Sequence, residues 1–332
     1  MNGLLMFQKK QIQFFEKNCE LALIAPILSG ILYSTKQEAI SGYGTHKEIL
    51  LHQLARIYKD HDGMYGICFE YAVHHAIRRN EPSVISRINQ ALKMCNVLGS
   101  QPSSVHLGFE KSNILQITSE AKKHFTSNSM LIFDEKKEPI RILDEIDLIE
   151  KSFRQKTQRN LLKAYMSDIW KSDLFIGNTD SDMWVAASVK VRPRYYTYYR
   201  GVRIEIIPAR WNKEDKQVYK HKNGMIYCYL PYDNNFVQHF YTTWIMVSKV
   251  LNSDAKVPVE RYLPLPKERK MALYLESRRE YPVYNIIEEL NAIAQNDIML
   301  PIPPEKKLIE LSDNKESLAQ IIIMPAARLI RD

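Results

Sequence analysis

The stretch Asp173-Leu-Phe-Ile-Gly-Asn-Thr-Asp-Ser-Asp-Met-Trp-Val-Ala-Ala-Ser-Val-Lys190 decides how the rest of the chain is read. Successive side chains of an extended segment point to opposite faces. Over Met183 to Val191, that puts Trp184, Ala186, Ser188 and Lys190 on one face, and Val185, Ala187, Val189 and Val191 on the other. A face made only of valine and alanine is a core face. Lys190 then projects at the end of a largely buried strand, where an ammonium without a partner is costly. Upstream, Asp173-Leu-Phe-Ile176 is a second apolar run, and Gly177-Asn-Thr-Asp-Ser181 is a tight polar turn. The turn brings the two runs side by side, so Asp173 is expected across from Ser188 to Lys190. A carboxylate and a lysine meeting at a strand end suit a divalent metal and a phosphate.

Working outward, Val202 to Ile207 and Met225 to Leu230 are further short β-branched runs, punctuated by Gly201 and Asn223-Gly224. They predict a meander of three or four strands, and Phe236 to Leu251 predicts a long apolar helix after it. Before the deciding stretch, residues 4 to 60 read as helical. The break at Ser41-Gly-Tyr-Gly-Thr45 ends one piece, and Thr45 is placed to cap the next. Met64 to Arg79 reads as a strong helix with Ile67, Val73 and Ile77 on its buried stripe. Residues 83 to 130 read as mainly helical with a loop near 99 to 104. Met130–Phe133 and Pro139–Leu143 predict a hairpin, and 145 to 169 a helix. Pro258, Pro264 and Pro266 mark a linker before two helices, near 267 to 279 and 283 to 294, and Pro301, Pro303 and Pro304 open a tail with an apolar end.

The fold class expected is α/β (α+β), a central mixed sheet flanked by helices. Its organisation is a helical N-terminal region over 1–62, a core over 63–255 with a helical insertion at about 83–168, and a helical C-terminal extension and tail over 256–332.

The chain has 332 residues, 45% hydrophobic and 25% charged, the balance of a folded protein with a sizeable core. Its net charge is +8 and its isoelectric point about 9.1. That charge is compatible with a polyanionic partner, because cationic side chains release phosphate counterions. Cys19, Cys68, Cys95 and Cys228 are scattered without a CxxC pair, against a zinc ribbon or a disulfide framework. The most apolar stretch, Leu21 to Tyr33, is too short to span a membrane and is interrupted by Pro26, Ser29 and Gly30. It reads as a buried helix, and the protein as cytoplasmic. His74 and His75 are neighbours on a helix, about 100° apart, and so do not chelate together. HExxH, Walker A and GxSxG motifs are missing, which disfavours a zinc protease, a P-loop ATPase and an α/β-hydrolase.

A helix carrying a glutamate, an aspartate at a strand start, a turn, and a strand ending in x-Lys resembles the PD-(D/E)xK, or restriction endonuclease-like, nuclease superfamily of bacterial restriction and anti-phage defence. The helix segment Gly66-Ile-Cys-Phe-Glu70-Tyr-Ala-Val is similar to that superfamily's first core helix. The resemblance implies metal-dependent hydrolysis of DNA phosphodiesters with Mg²⁺ or Mn²⁺. Glu70 would help hold the metal, Asp173 would ligate it, and Lys190 would orient the attacking water or stabilise developing charge. Ser188 stands where the superfamily has Asp or Glu. Asp182 in the turn and Glu205 in the next strand are the acids able to substitute, and Glu205 is taken as the third metal ligand. The alternative is a non-catalytic DNA-binding or scaffold subunit of a defence complex on a degenerate nuclease fold.

Lys190-Val-Arg-Pro-Arg-Tyr-Tyr-Thr-Tyr-Tyr-Arg-Gly-Val-Arg203 holds five positive charges, four tyrosines and no acid. Arginines neutralise phosphates, and tyrosines stack on bases or bond the backbone. Arg192, Arg194, Tyr195, Tyr196, Arg200 and Arg203 are therefore the expected DNA contacts. A second basic cluster, Lys151, Arg154, Lys156, Arg159 and Lys163, reads as a solvated helix face. The expected partners are DNA and other protein subunits of a defence complex, with no membrane.

Overall fold

Eight strands form one mixed sheet with helices against both faces in the computed structural model of the chain, which describes residues 21–58, 62–106, 122–133, 138–154, 172–192, 203–209, 217–222, 224–232, 236–259 and 263–299. The strands are β1 (Pro102–His106), β2 (Met130–Ile132), β3 (Ile140–Arg141), β4 (Leu174–Asn178), β5 (Met183–Val189), β6 (Arg203–Pro208), β7 (Tyr219–Lys220) and β8 (Met225–Leu230). Their main order is β1-β4-β5-β6-β8-β7. β4 and β5 pair antiparallel from Leu174↔Ala187 to Asn178↔Met183, the hairpin that the polar turn dictates. β6 and β8 then run parallel to β5, so the run is not a meander. A hairpin does close at Gly224, whose amide donates to His221 O at 3.0 Å, but with the two-residue β7, which pairs Tyr219↔Tyr227 and Lys220↔Ile226. The strand apolar runs alone do not encode direction, since fully buried strands carry no polar stripe that distinguishes the two ways of pairing.

β5 organises the sheet. One of its edges takes β4. The other is divided: β2 pairs in parallel with Met183–Val185, and β6 pairs in parallel with Ala187–Val189. β2 also forms the expected hairpin with β3. β1 lies at the edge beside β4, in register from Pro102↔Asn178 to His106↔Leu174. Residues 83 to 130 were expected to be mainly helical, with a loop at 99 to 104. The chain there is helical to Met94 and again at 122–124, the loop residues enter β1, and 107–121 lie outside the described residues. A Pro-Ser-Ser sequence has little intrinsic strand preference, but an edge position tolerates proline and pairing with β4 fixes the rest.

The longer helices among the described residues are α1 (residues 21–34), α2 (Leu51–Ile57), α3 (Asp62–Arg78), α4 (Pro82–Met94), α5 (Ile142–Arg154), α6 (Phe236–Asn252), α7 (Pro266–Ser277) and α8 (Val283–Met299). Thr45 does not cap α2. Its amide and hydroxyl both donate to Glu48 Oε2 in a separate turn, and Leu50 and Gln53 form the start of α2. α3 packs on β1 and β5, and α4 on β8 and β1. One continuous apolar core joins them to α1, α2, α6, α7 and α8, from Leu23 to Leu290, through Val185, Ala187, Val189, Ile204 and Ile206 of the sheet. The opposite face is covered by α5, where Ile142 and Ile146 pack on Phe175, Trp184 and Ala186. Among the described residues no helix is long and apolar enough to cross a membrane. Residues 1–20, 155–171 and 300–332 lie outside the described residues, and with them the first helical residues, the rest of the 145–169 helix and the tail.

α1 is the apolar stretch read as a buried helix, and Leu23 to Leu32 are almost completely buried. Two sequence oddities inside it have local solutions. Pro26 lacks the N–H that would bond the carbonyl one turn back, and Arg79 Nη1 donates to that carbonyl, of Ala22, at 2.9 Å instead. Gly30 allows α3 to approach: a β carbon there would lie 2.7 Å from Cys68 Cα and 2.8 Å from its Sγ. Gly30→Ala is therefore expected to destabilise the fold by about 1–3 kcal/mol through overpacking, although alanine is the better helix former by up to about 1 kcal/mol. Urea unfolding measures this, and a stabilised variant would show that α1 and α3 cross with room to spare.

Histidines line the contact of α3 with β1. His74 Nδ1 and Ser104 Oγ are 2.8 Å apart, and the His74 ring lies 5.5 Å from that of His106, which in turn lies 4.3 Å from Tyr71. Burial, reinforced by the neighbouring histidines and arginines, holds His74 well below its ordinary value and takes His75 down to about 3. The rings of His74 and His75 stand nearly perpendicular, at 81°.

Candidate functional site

The ladder of β4 and β5 ends at Leu174↔Ala187, and Asp173 stands just beyond it. Its amide still donates to Ala187 O at 3.0 Å. Beyond that pair the strand backbone of β4 no longer serves β5, and the Asp173 side chain takes over. Oδ2 accepts from the Val189 amide at 2.9 Å and from Lys190 Nζ at 2.9 Å. Asp173 is 2% exposed, whereas the Lys190 side chain is 30% exposed. Lys190 itself remains tied to the sheet, its amide donating to Ile206 O at 2.9 Å. The pair is thus a buried carboxylate with a cation that reaches from it toward water. Hydrogen bonds to a charged carboxylate are stronger than neutral ones, and two of them on one oxygen fix its orientation.

The parallel pairing of β5 and β6 brings in a second acid. Ser188 pairs with Glu205, and Glu205 pairs in turn with Tyr227 of β8. Paired residues share a sheet face, so Ser188, Glu205 and Tyr227 form one row, with Lys190 on the same side of β5 by alternation. Ser188 and Glu205 are buried. The small serine side chain lies between the strand that carries Glu205 and the strand end that carries Asp173. A carboxylate on each side of a hydroxyl is a set of hard oxygen donors, the chemistry that suits Mg²⁺ or Mn²⁺. An ion of that kind needs only one or two protein carboxylates when water and substrate phosphate supply the remaining oxygens.

The other site residues are dispersed. Glu70 is half-buried on α3, one turn on from Gly66, which lies against Val191 just after β5. Among the described residues no three histidine, cysteine, aspartate or glutamate side chains gather closely enough to hold a metal ion, so Glu70 does not join Asp173 and Glu205 in one cluster. Asp182 sits at the far end of β5. It accepts from Thr126, Ser129 and Trp184, and these bonds hold its carboxyl below the usual range against the opposing effect of burial. It braces the β4–β5 turn and is a full strand length from Lys190. Arg192 follows β5 directly and is exposed. Arg194, Tyr195, Tyr196 and Arg200 lie outside the described residues, as does the side chain of Arg203, whose backbone begins β6.

The sequence reading passed over an aromatic group on the same face. Tyr219 of β7 stacks on Tyr227 at 5.3 Å and near Tyr229 at 6.2 Å, with interplanar angles of 26° and 14°. The Asn223-Gly224 turn was the available signal. A hairpin there requires a partner strand before it, which puts Tyr219 opposite Tyr227.

Comparison of the chain with protein-family models, with curated proteins and with solved structures finds no match.

Proposed function

We propose that this chain is a metal-dependent DNA nuclease with its centre at Asp173, Lys190 and Glu205, and that it serves in a bacterial restriction or anti-phage system. The observation that carries the reading is the contact of Asp173 with Lys190 across the ends of β4 and β5, with Glu205 in register beside Ser188. The strand arrangement supports it too: an antiparallel pair with an acid before its first strand and a lysine after its second, followed by a parallel strand bearing a further acid. The net charge of +8 supports a polyanionic substrate.

In this reading Asp173 and Glu205 hold Mg²⁺ or Mn²⁺. The ion, when bound, supplies a water of lowered pKa and offsets phosphate charge. Lys190 directs its ammonium at the phosphate or at the attacking water. Asp173 orients that ammonium while the sheet fixes both backbones. The serine at position 188 leaves the gap that a nuclease acid would fill, and Glu205 supplies the carboxylate from the adjacent strand. Arg192, Arg194, Tyr195, Tyr196, Arg200 and Arg203 hold the DNA backbone next to the site, and Glu70 contributes negative charge from α3.

The test is cleavage of supercoiled plasmid with Mg²⁺ or Mn²⁺. Glu205→Gln keeps the shape of the side chain and removes the charge. Metal and charge stabilisation contribute several kcal/mol to such a reaction, so the loss expected is about 100-fold or more. Glu70→Gln is expected to lose less. Wild-type activity in Glu205→Gln would remove Glu205 from the site. A second reading, a non-catalytic DNA-binding subunit, is favoured by one observation: the Asp173 carboxylate already has structural work, holding the Val189 amide and Lys190. Salt-sensitive DNA binding by a wild-type chain that never cuts would decide for it.

A further inference from the structure

We infer that Tyr219, flanked by Lys220 and Lys222 on the β7 edge, is a stacking contact for an unpaired base of single-stranded DNA. The inference rests on the nuclease reading above and deepens it by naming the form of the substrate.

The register gives the reason. Ser188↔Glu205, Glu205↔Tyr227 and Tyr227↔Tyr219 are consecutive pairs across β5, β6, β8 and β7. A single row of side chains therefore runs from the candidate centre to the last strand of the sheet on that side. Three interstrand steps of about 4.8 Å put Tyr219 about 14 Å from Ser188. The row is buried in its middle and reaches the surface at two points. Lys190 is 30% exposed at one, and Tyr219 is 37% exposed at the other.

Tyr219 differs from an ordinary surface tyrosine because its ring is already oriented. Tyr227 and Tyr229, both buried, stack on it, and His221 meets Tyr227 edge-on at 6.3 Å. A ring held by two buried rings loses little freedom when a base is added to the stack, which lowers the entropic cost of binding. His221 and Lys222 are exposed beside it, and Lys220 is exposed on the same edge although alternation starts its side chain on the other face. An oriented aromatic flanked by cations is the combination that binds single strands without reading their sequence: the rings take bases, and the cations take phosphates. A duplex keeps its bases stacked on one another and offers this site nothing but phosphate.

The experiment compares binding of a fluorescent oligothymidylate with that of a duplex of equal length, in EDTA so that no hydrolysis intervenes. The variants are Tyr219→Leu, which keeps apolar bulk and loses the π face, and Tyr219→Trp, which keeps both. A stacking contact is worth about 1–3 kcal/mol per base, so Tyr219→Leu should weaken single-strand binding about 5- to 150-fold. It should leave duplex binding within about twofold, and Tyr219→Trp should restore the single-strand affinity. Lys220→Glu with Lys222→Glu should weaken both substrates and flatten the salt dependence. Equal single-strand affinity in wild type and Tyr219→Leu overturns this inference and leaves the nuclease reading standing. A wild-type chain that binds neither substrate overturns both.

Discussion

Lys190→Met is expected to cost about 3 kcal/mol of folding stability and to abolish plasmid cleavage, whereas Asp173→Asn costs about 1 kcal/mol and abolishes cleavage just as fully. The asymmetry comes from where the two charges sit. Asp173 is 2% exposed and Lys190 30%. Methionine matches the stem of lysine and leaves the buried carboxylate without its cation, and stranding a buried charge is the expensive way to break an ion pair. Asparagine keeps an oxygen for the Val189 amide, and the ammonium released from it turns to water at small cost. Urea unfolding reads the first part, and cleavage with Mg²⁺ the second. Equal stability losses would mean that Asp173 is better hydrated than its burial implies. Wild-type cleavage by either variant would remove the pair from the reaction.

The second large effect is on acid stability. His74 and His75 are held neutral in the fold, with values below the ordinary 6.5, His75 at about 3. In the unfolded chain both take up a proton near pH 6.5. Below that pH the unfolded state binds more protons than the native one, so stability falls as pH falls. The loss per histidine rises toward about 1.4 kcal/mol per pH unit as the unfolded ring becomes fully protonated, and ends at the folded value. Going from about pH 6.5 to about pH 5 should therefore remove about 1.6 kcal/mol through His75, and His74, shifted the same way, adds a loss of the same sign. The carboxylates held low by hydrogen bonds, Glu48, Asp180, Asp182 and Asp254, contribute their losses only below their own unfolded values, near about 4. Glu81, raised by burial, works in the opposite direction. His75→Gln should make the slope between about pH 5 and about pH 6.5 shallower. A stability that is flat over that interval would show that the histidines admit protons in the folded state.

Part of this architecture was legible in the residues and part was not, for physical reasons. The β4–β5 hairpin was legible because strict alternation in β5 and a polar turn of fixed length leave one register. The position of Asp173 opposite Ser188, at the end that carries Lys190, comes from that arithmetic alone. The burial of α1 was legible from its composition, whereas its proline and glycine are explained only by Arg79 and Cys68, distant in sequence. β1 was not legible, because Pro102-Ser-Ser has no strand preference until β4 supplies a partner. The parallel course of β6 and β8 was hidden as well, since glycines mark a turn without fixing the direction of the next strand. The place of Glu205 beside Ser188 depended on that strand order, so the sequence left it one of two possible acids without placing either. Tyr219 was hidden because a two-residue strand carries no periodicity.

The edge of β5 divided between β2 and β6 has a consequence for how the chain assembles. Four of the seven ladders among the described residues need residues 174 to 189. β1 ends at His106, and its partner begins at Leu174. In synthesis from the N-terminus at about 5–20 residues per second, those roughly 70 residues take about 4–14 s. For that interval β1 and the β2–β3 hairpin have no sheet to join, and their hydrogen-bonding edges are open to neighbours. Emergence of the β4–β5 hairpin ends the exposure at a stroke, because one hairpin offers both waiting segments their edges. Slow synthesis between Arg141 and Leu174 should raise aggregation, and a pause after Lys190 should not.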